Sequence, residues 1–194
     1  MAIKEENEVT VRVICSNDEL VNYLRKQGFK SGREFSLDDY YYIPSSLNID
    51  NMSARKILSK AIILRYIVDD GKIIQKITYK IKDINKNGDI INQRAINCDV
   101  KNIEDAKKIF EALDYYEIMN IKENDIIYYK NNFELAIKYI EKGDILIEIE
   151  TEPNTKWDTV ENIKSIISEM NLPIEKDNYF IKKAEIELNK ILKR

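Results

Sequence analysis

Histidine is missing from all 194 residues. That excludes Ser-His-Asp and Cys-His catalysis, imidazole-based zinc sites and the commonest general base. Any chemistry must run through carboxylates, lysine, arginine, tyrosine or a hard metal ion held by oxygen. Cysteine is scarce: Cys15 and Cys98 are too few for a disulfide framework or a thiolate metal site, and both read as inert strand residues. No run of about eighteen apolar residues occurs. The opening Met-Ala-Ile-Lys-Glu-Glu has no apolar signal core, so a cytoplasmic protein without membrane contact is expected. No sign of charge dominates either, with 31 basic residues against 34 acidic and a net charge of −3. A general nucleic-acid binder is usually clearly basic, which disfavours that class of partner. A small anionic ligand responds to local charge and is not excluded.

What is present suits one domain over residues 1–194. Forty-four per cent of the residues are hydrophobic, enough for a sizeable core. Glu6 to Ile14 alternates strictly, with Glu6, Glu8, Thr10 and Arg12 on one face and Val9, Val11 and Val13 on the other. Ser16-Asn-Asp-Glu19 reads as a capping box opening a helix that Gly28 ends. Strands are expected at 37–44, 61–68, 72–82, 89–100, 117–122, 125–130, 133–140 and 145–151. Turns fall at Asp69-Asp-Gly71, Asn85 to Gly88 and Asn131-Asn132. Helical spacing marks 102–113, and further helices are expected at 158–170 and 177–192, with a short turn of helix near 54–59.

Several strands carry one charged and one apolar face. In the last, Ile145, Ile147 and Ile149 alternate with Leu146, Glu148 and Glu150. Its two carboxylates lie about 7 Å apart at ~3.3 Å rise per residue, so they are either well solvated or held by a cation. The strand at 72–82 instead presents Lys76, Thr78, Lys80 and Lys82. An open sheet would leave these faces to water. A closed antiparallel barrel would set the acidic and basic faces opposite one another, and an α+β fold built on such a barrel with flanking helices is the preferred expectation.

The order of these features resembles the CYTH domain, also called the triphosphate tunnel metalloenzyme family, from Glu6 to about Tyr179. Glu6-Asn-Glu8-Val-Thr10 is similar to the family's Glu-x-Glu-x-Lys with Thr in place of Lys; in the alternative register, Glu8-Val-Thr10-Val-Arg12 keeps one acid and a basic residue. Asp39-Tyr-Tyr-Tyr-Ile-Pro44 resembles Asp-x-Tyr-Phe-x-x-Pro, and Ile63-Leu-Arg65-Tyr-Ile67 keeps the first arginine of Leu-Arg-Ile-Arg. Thr78-Tyr-Lys80 matches a Thr-x-Lys element, Arg94 stands where a further tunnel arginine is expected, and Lys122-Glu-Asn124 is similar to Lys-x-Arg. Ile137 to Glu150 aligns without gaps to the family's last strand pair and ends on its Glu-Ile-Glu, with Lys138 in place of an acid.

The resemblance implies an eight-stranded tunnel in which Arg12, Arg65, Lys80, Arg94 and Lys122 bind a triphosphate. Glu6, Glu8, Glu148 and Glu150 would hold Mg²⁺ or Mn²⁺. No catalytic acid or base is assigned; Lys76 and Lys82 read as solvated, and Trp157 and the tyrosines at 115, 116, 128 and 129 as packing residues. The expected activity is hydrolysis of tripolyphosphate or an organic triphosphate such as thiamine triphosphate, or cyclisation of ATP in the manner of class IV adenylate cyclases. The alternatives are a weakened module that binds polyphosphate or nucleotide, and an interaction protein with merely solvated charges. A monomer or homodimer is expected.

Overall fold

The structure, a computed structural model, describes residues 4–5, 8–84, 90–176 and 178–193. Glu6 and the expected turn at Asn85 to Gly88 lie outside these residues. The chain forms β1 (Lys4–Glu5), β2 (Glu8–Arg12), α1 (Asn17–Lys26), β3 (Lys30–Pro44), α2 (Ala54–Leu58), β4 (Ile62–Asp69) and β5 (Lys72–Ile84). It continues with β6 (Ile90–Asp99), α3 (Ile103–Ala112), β7 (Tyr115–Lys130), β8 (Phe133–Ile140), β9 (Ile145–Glu150), α4 (Val160–Met170) and α5 (Lys183–Leu192). Among the described residues no helix is long and apolar enough to cross a membrane.

Local chemistry explains most boundaries. Ser16 and Glu19 form the capping box at the start of α1, and Gly28, at φ 89°, turns the chain out of it into β3. β3 starts well before the expected Leu37 because Lys30 and Ser31 pair with Tyr129 and Tyr128 of β7. A polar stretch without β-branched residues becomes strand through its partner. The two strands expected at 117–122 and 125–130 are one, since Glu123 and Asn124 pair with both β3 and β8.

All nine strands join one antiparallel sheet in the order β1-β6-β5-β4-β3-β7-β8-β9-β2. The fold is α+β as expected, but among the described residues hydrogen bonds do not close the sheet into a barrel. The two described pieces of the first strand serve opposite edges of the sheet. Lys4 and Glu5 pair with Ala95 and Arg94 of β6, whereas Glu8 to Arg12 pair with β9. The free edge of β2 is taken by residues 173–181. The Thr10 N–H donates to the Tyr179 carbonyl, the Ile181 N–H to the Thr10 carbonyl, and the Glu175 N–H to the Arg12 carbonyl.

The sheet has two differently covered faces. Outside, Val9, Val11, Ile137, Ile147 and Ile149 pack under α1 and α4 through Leu20, Leu24, Ile163 and Ile167. Tyr42 and Leu64 pack under α3 through Ile103, Ala106 and Phe110. Inside, one end is apolar: Tyr41, Ile63, Met119, Ile121 and Leu146 pack against Ile57 of α2 and Leu188 of α5. The expected wholly charged interior is therefore charged only beyond this plug.

Candidate active site

Residues directly opposite in a ladder project from the same face. On β5 the inner residues are Lys76, Thr78, Lys80 and Lys82, opposite Asp99, Asn97, Ala95 and Gln93 of β6. Arg65 of β4 sits opposite Lys76 and also opposite Asp39 of β3. Across the sheet the inner face carries Glu123 and Asp125 of β7 and Lys138 of β8. It continues through Glu148 and Glu150 of β9 to Thr10 and Glu8 of β2. β5 and β2 stand third and ninth in the strand order. The sheet nevertheless curls far enough for their charges to interact. Burial pushes the Glu8 carboxyl up, but Lys80, Lys82, Lys138 and Lys183 outweigh it and hold Glu8 below the usual carboxylate range.

The basic wall is formed by Arg65, Lys76, Lys80 and Lys82. Arg65 makes a bidentate pair with Asp39, Nε to Oδ1 and Nη2 to Oδ2, both at 2.6 Å. Asp39 is 1% exposed, and its burial cost is outweighed by the guanidinium, which keeps it ionised. Lys80 is half-buried. Burial, with Arg65 and Lys82 adding to it against Glu8 and Glu148, draws its ammonium down to about 8. Among the described residues no carboxylate lies within salt-bridge distance of Lys76, Lys80 or Lys82. Thr78 between them is buried and donates to the Asn97 side-chain oxygen at 2.8 Å.

The facing wall is acidic, with its own cations. Lys138 Nζ lies 3.0 Å from Asp125 Oδ2, 3.1 Å from Glu148 Oε1 and 3.7 Å from Glu123 Oε1. Lys183, at the start of α5, reaches Glu123 Oε2 at 2.6 Å. Burial lifts the Asp125 carboxyl to about 6 despite Lys138, with Glu123 and Glu148 pushing the same way. The surrounding acids raise Lys138 well above the usual lysine range.

The expected site residues divide cleanly. Arg65, Lys80, Glu8, Glu148 and Glu150 share the inner face, while Glu6 lies outside the described residues. Arg12 is on the same face by register but at the rim, held by Asp144 and Glu175, each at 3.1 Å. Arg94 and Lys122 correct the expectation. Arg94 is opposite Ile81, one residue out of phase with Lys80 and Lys82, and so projects outward near Asp83. Lys122 is opposite Asp38 on the outer face and pairs with it at 3.8 Å. Both fail for one reason: side chains alternate, so a one-residue error in phase exchanges the faces. Lys76 and Lys82, read as solvated from the sequence, lie on the inner face, and the phase they share with Lys80 is the signal that could have placed them there. Glu123 and Asp125 could be found only once β7 was known to be continuous, and no sequence signal placed Lys183 of α5 beside them.

No family model matches the chain. It is 30% identical over 188 residues to the protein named "Putative adenylate cyclase MJ0240" of Methanocaldococcus jannaschii, covering 93% of this chain and 97% of that one. Among solved structures it is similar to the PH1819 protein from Pyrococcus horikoshii OT3, with a TM-score of 0.71 at 20% identity, covering 95% and 99% of the two chains. It also shares its fold with HpAC1 from Hippeastrum, described as revealing a dominant triphosphatase activity, with a TM-score of 0.58 at 9% identity over 96% of each chain.

Proposed function

The chain belongs to the CYTH, or triphosphate tunnel metalloenzyme, family, and from that premise we propose that it is an enzyme acting on a triphosphate bound along the basic inner wall. The carrying observation is the row Lys76, Lys80 and Lys82, which projects inward beside Arg65 with no neutralising carboxylate at hand among the described residues. A triphosphate brings about four negative charges, which convergent lysine and arginine donors match. Lys80 is the central ligand. Its depressed ammonium marks a place where positive charge is held against cost until an anion arrives. Arg65, fixed by Asp39, offers a guanidinium whose direction is already set, and Lys76 and Lys82 extend the row along the substrate. Thr78 is committed to Asn97 and shapes the floor between the lysines.

A divalent cation fits Glu8 and Glu150, directly opposite each other on the inner face and able to offer hard oxygen donors. Glu148 shares the face but is engaged by Lys138. Mg²⁺ or Mn²⁺ held there would neutralise phosphoryl oxygens and activate a water or hydroxyl. Hydrolysis of tripolyphosphate or an organic triphosphate is favoured over cyclisation of ATP, which also needs recognition of base and ribose. A cavity of about 480 Å³, lined by residues including Pro44, Leu47, Lys60, Ile62, Tyr79 and Tyr115, involves the outer face and none of Lys76, Lys80 and Lys82.

Phosphate release from tripolyphosphate, ATP and thiamine triphosphate with Mn²⁺, together with calorimetry, tests the assignment. Turnover of at least one substrate that Lys80→Ala reduces tenfold or more is expected. Micromolar binding without product would support the second reading, a binding module, which the neutralised acidic wall favours. Absence of both turnover and binding excludes the proposal.

A further inference from the structure

Three carboxylates from the two strands that flank β8 surround a single point, and a lysine of β8 occupies it. Glu123 and Asp125 come from β7, Glu148 from β9, and Lys138 of β8 reaches all three at 3.0 to 3.7 Å. The cluster is buried on its β7 side and partly open on its β9 side: the side chains of Glu123, Asp125, Lys138 and Glu148 are 2%, 1%, 11% and 19% exposed. Three carboxylates around one centre supply part of the six or more oxygen ligands that a hard divalent cation takes. Ion pairs alone do not satisfy the cluster, because Asp125 Oδ1 is buried and has no hydrogen-bond partner among the described residues. Two lysines, Lys138 and Lys183, serve three carboxylates, so an acceptor and a negative charge are left over. As they stand, no group of three His, Cys, Asp or Glu side chains among the described residues is placed to hold a metal, so these carboxylates would have to move to take one.

We propose that the ammonium of Lys138 is an internal cation standing where a divalent metal ion would otherwise bind, so that Glu123, Asp125 and Glu148 form a metal site closed by the protein's own side chain. The inference goes beyond the proposed function, because it concerns the acidic wall with no triphosphate present. It has two consequences. In the native protein Glu148 takes no part in metal binding, and metal responds only to the Glu8 and Glu150 side. Removing the ammonium without filling its space also releases a divalent site, the oxygens drawing in by roughly 1 Å to reach metal–oxygen distances of ~2.1 to 2.4 Å.

The experiment is a Mn²⁺ titration of the full chain, read from the electron paramagnetic resonance signal of free Mn²⁺, without any phosphate. Wild type, Lys138→Met, Lys138→Arg and Glu148→Gln are compared, with thermal melting alongside. Lys138→Met should bind one Mn²⁺ more than wild type, and Mn²⁺ should raise its melting temperature while leaving that of Lys138→Arg unmoved. Equal stoichiometry in folded wild type and Lys138→Met overturns the proposal. If Lys138→Met folds only when Mn²⁺ is supplied, the metal has replaced the ammonium and the proposal is supported. If it folds under neither condition, Glu148→Gln decides: Mn²⁺ binding within twofold of wild type supports the proposal, and a tenfold loss overturns it. A wild type that binds no tripolyphosphate would defeat the proposed function and leave this result intact.

Discussion

The two walls of the inner face contain similar residue types in opposite states. On the β7-β8-β9 wall every named cation has an acid within 4 Å: Lys138 has three and Lys183 has one. On the β4-β5 wall only Arg65 is matched, by Asp39, while Lys76, Lys80 and Lys82 project without a carboxylate at salt-bridge distance among the described residues. Charge satisfied within the protein gives structure and little outward field. Charge left unmatched costs stability and is available to a ligand. The proposed polyanion site rests on that difference, with the acidic wall as the self-neutralised counterpart.

That contrast can be broken most forcefully at Lys138. Lys138→Met should destabilise the fold by about 3–5 kcal/mol in urea denaturation, because it leaves buried carboxylates without their counter-ion. A loss below about 1 kcal/mol would mean that water, and not Lys138, neutralises that wall.

The opposite signature is expected at Lys80. Lys80→Ala should weaken tripolyphosphate binding by about 1.5–3 kcal/mol, the worth of a hydrogen bond to a charged group. It should leave urea stability unchanged or slightly raised, since the ammonium is held at a cost. Equal losses of stability and affinity would merge the two walls into one structural network.

Titration sharpens the comparison further. Lys80 deprotonates near 8 in the fold, against 10.5 for the free side chain. Between these values the unfolded chain binds more protons, so this group adds stability as pH rises through the window. Affinity for tripolyphosphate should move the other way, falling as pH passes about 8, and Lys80→Arg should flatten that fall in calorimetric titrations. Asp125, raised from 3.8 to about 6, has the opposite sign from Lys80. Its contribution to stability is lost as pH rises through that window, and Asp125→Asn should remove this dependence from the denaturation profile.

The smallest effects belong to the outer face. Arg94→Ala and Lys122→Ala should leave tripolyphosphate affinity within about twofold, and Lys122→Ala should change stability by no more than about 0.5 kcal/mol, as exposed pairs do. A tenfold affinity loss at either residue would mean that the ladder phase is not what determines access to the ligand.

Period and turn chemistry made much of the architecture legible in the residues. The capping box at Ser16, the turn at Asp69 to Gly71 and the alternation from Lys76 to Lys82 each mark their element directly. Parity within β5 also brings Lys80 together with its neighbours. What remained hidden depends on contacts between distant segments. Nothing local in Lys30 to Ser36 marks a strand, because that stretch is extended through its pairing with β7. The split of the first strand between two edges depends on pairing with β6 and β9, both distant in sequence. Lys122 is singled out by its motif letters, which carry no phase, whereas the ladder puts it on the outer face. Lys183 reaches Glu123 across 60 positions of sequence, a contact that no spacing encodes.

The fastening of β2 has a consequence for how the molecule is made. Both neighbours of Glu8 to Arg12 come from the far end of the chain, β9 on one side and residues 173–181 on the other. During synthesis the earliest segment must therefore wait for nearly the last, its amide edge open to mispairing with other nascent chains. Closure across such sequence distances makes folding slow. Until β9 is made, Glu8 lacks the partner that holds it on the inner face across from the lysines of β5.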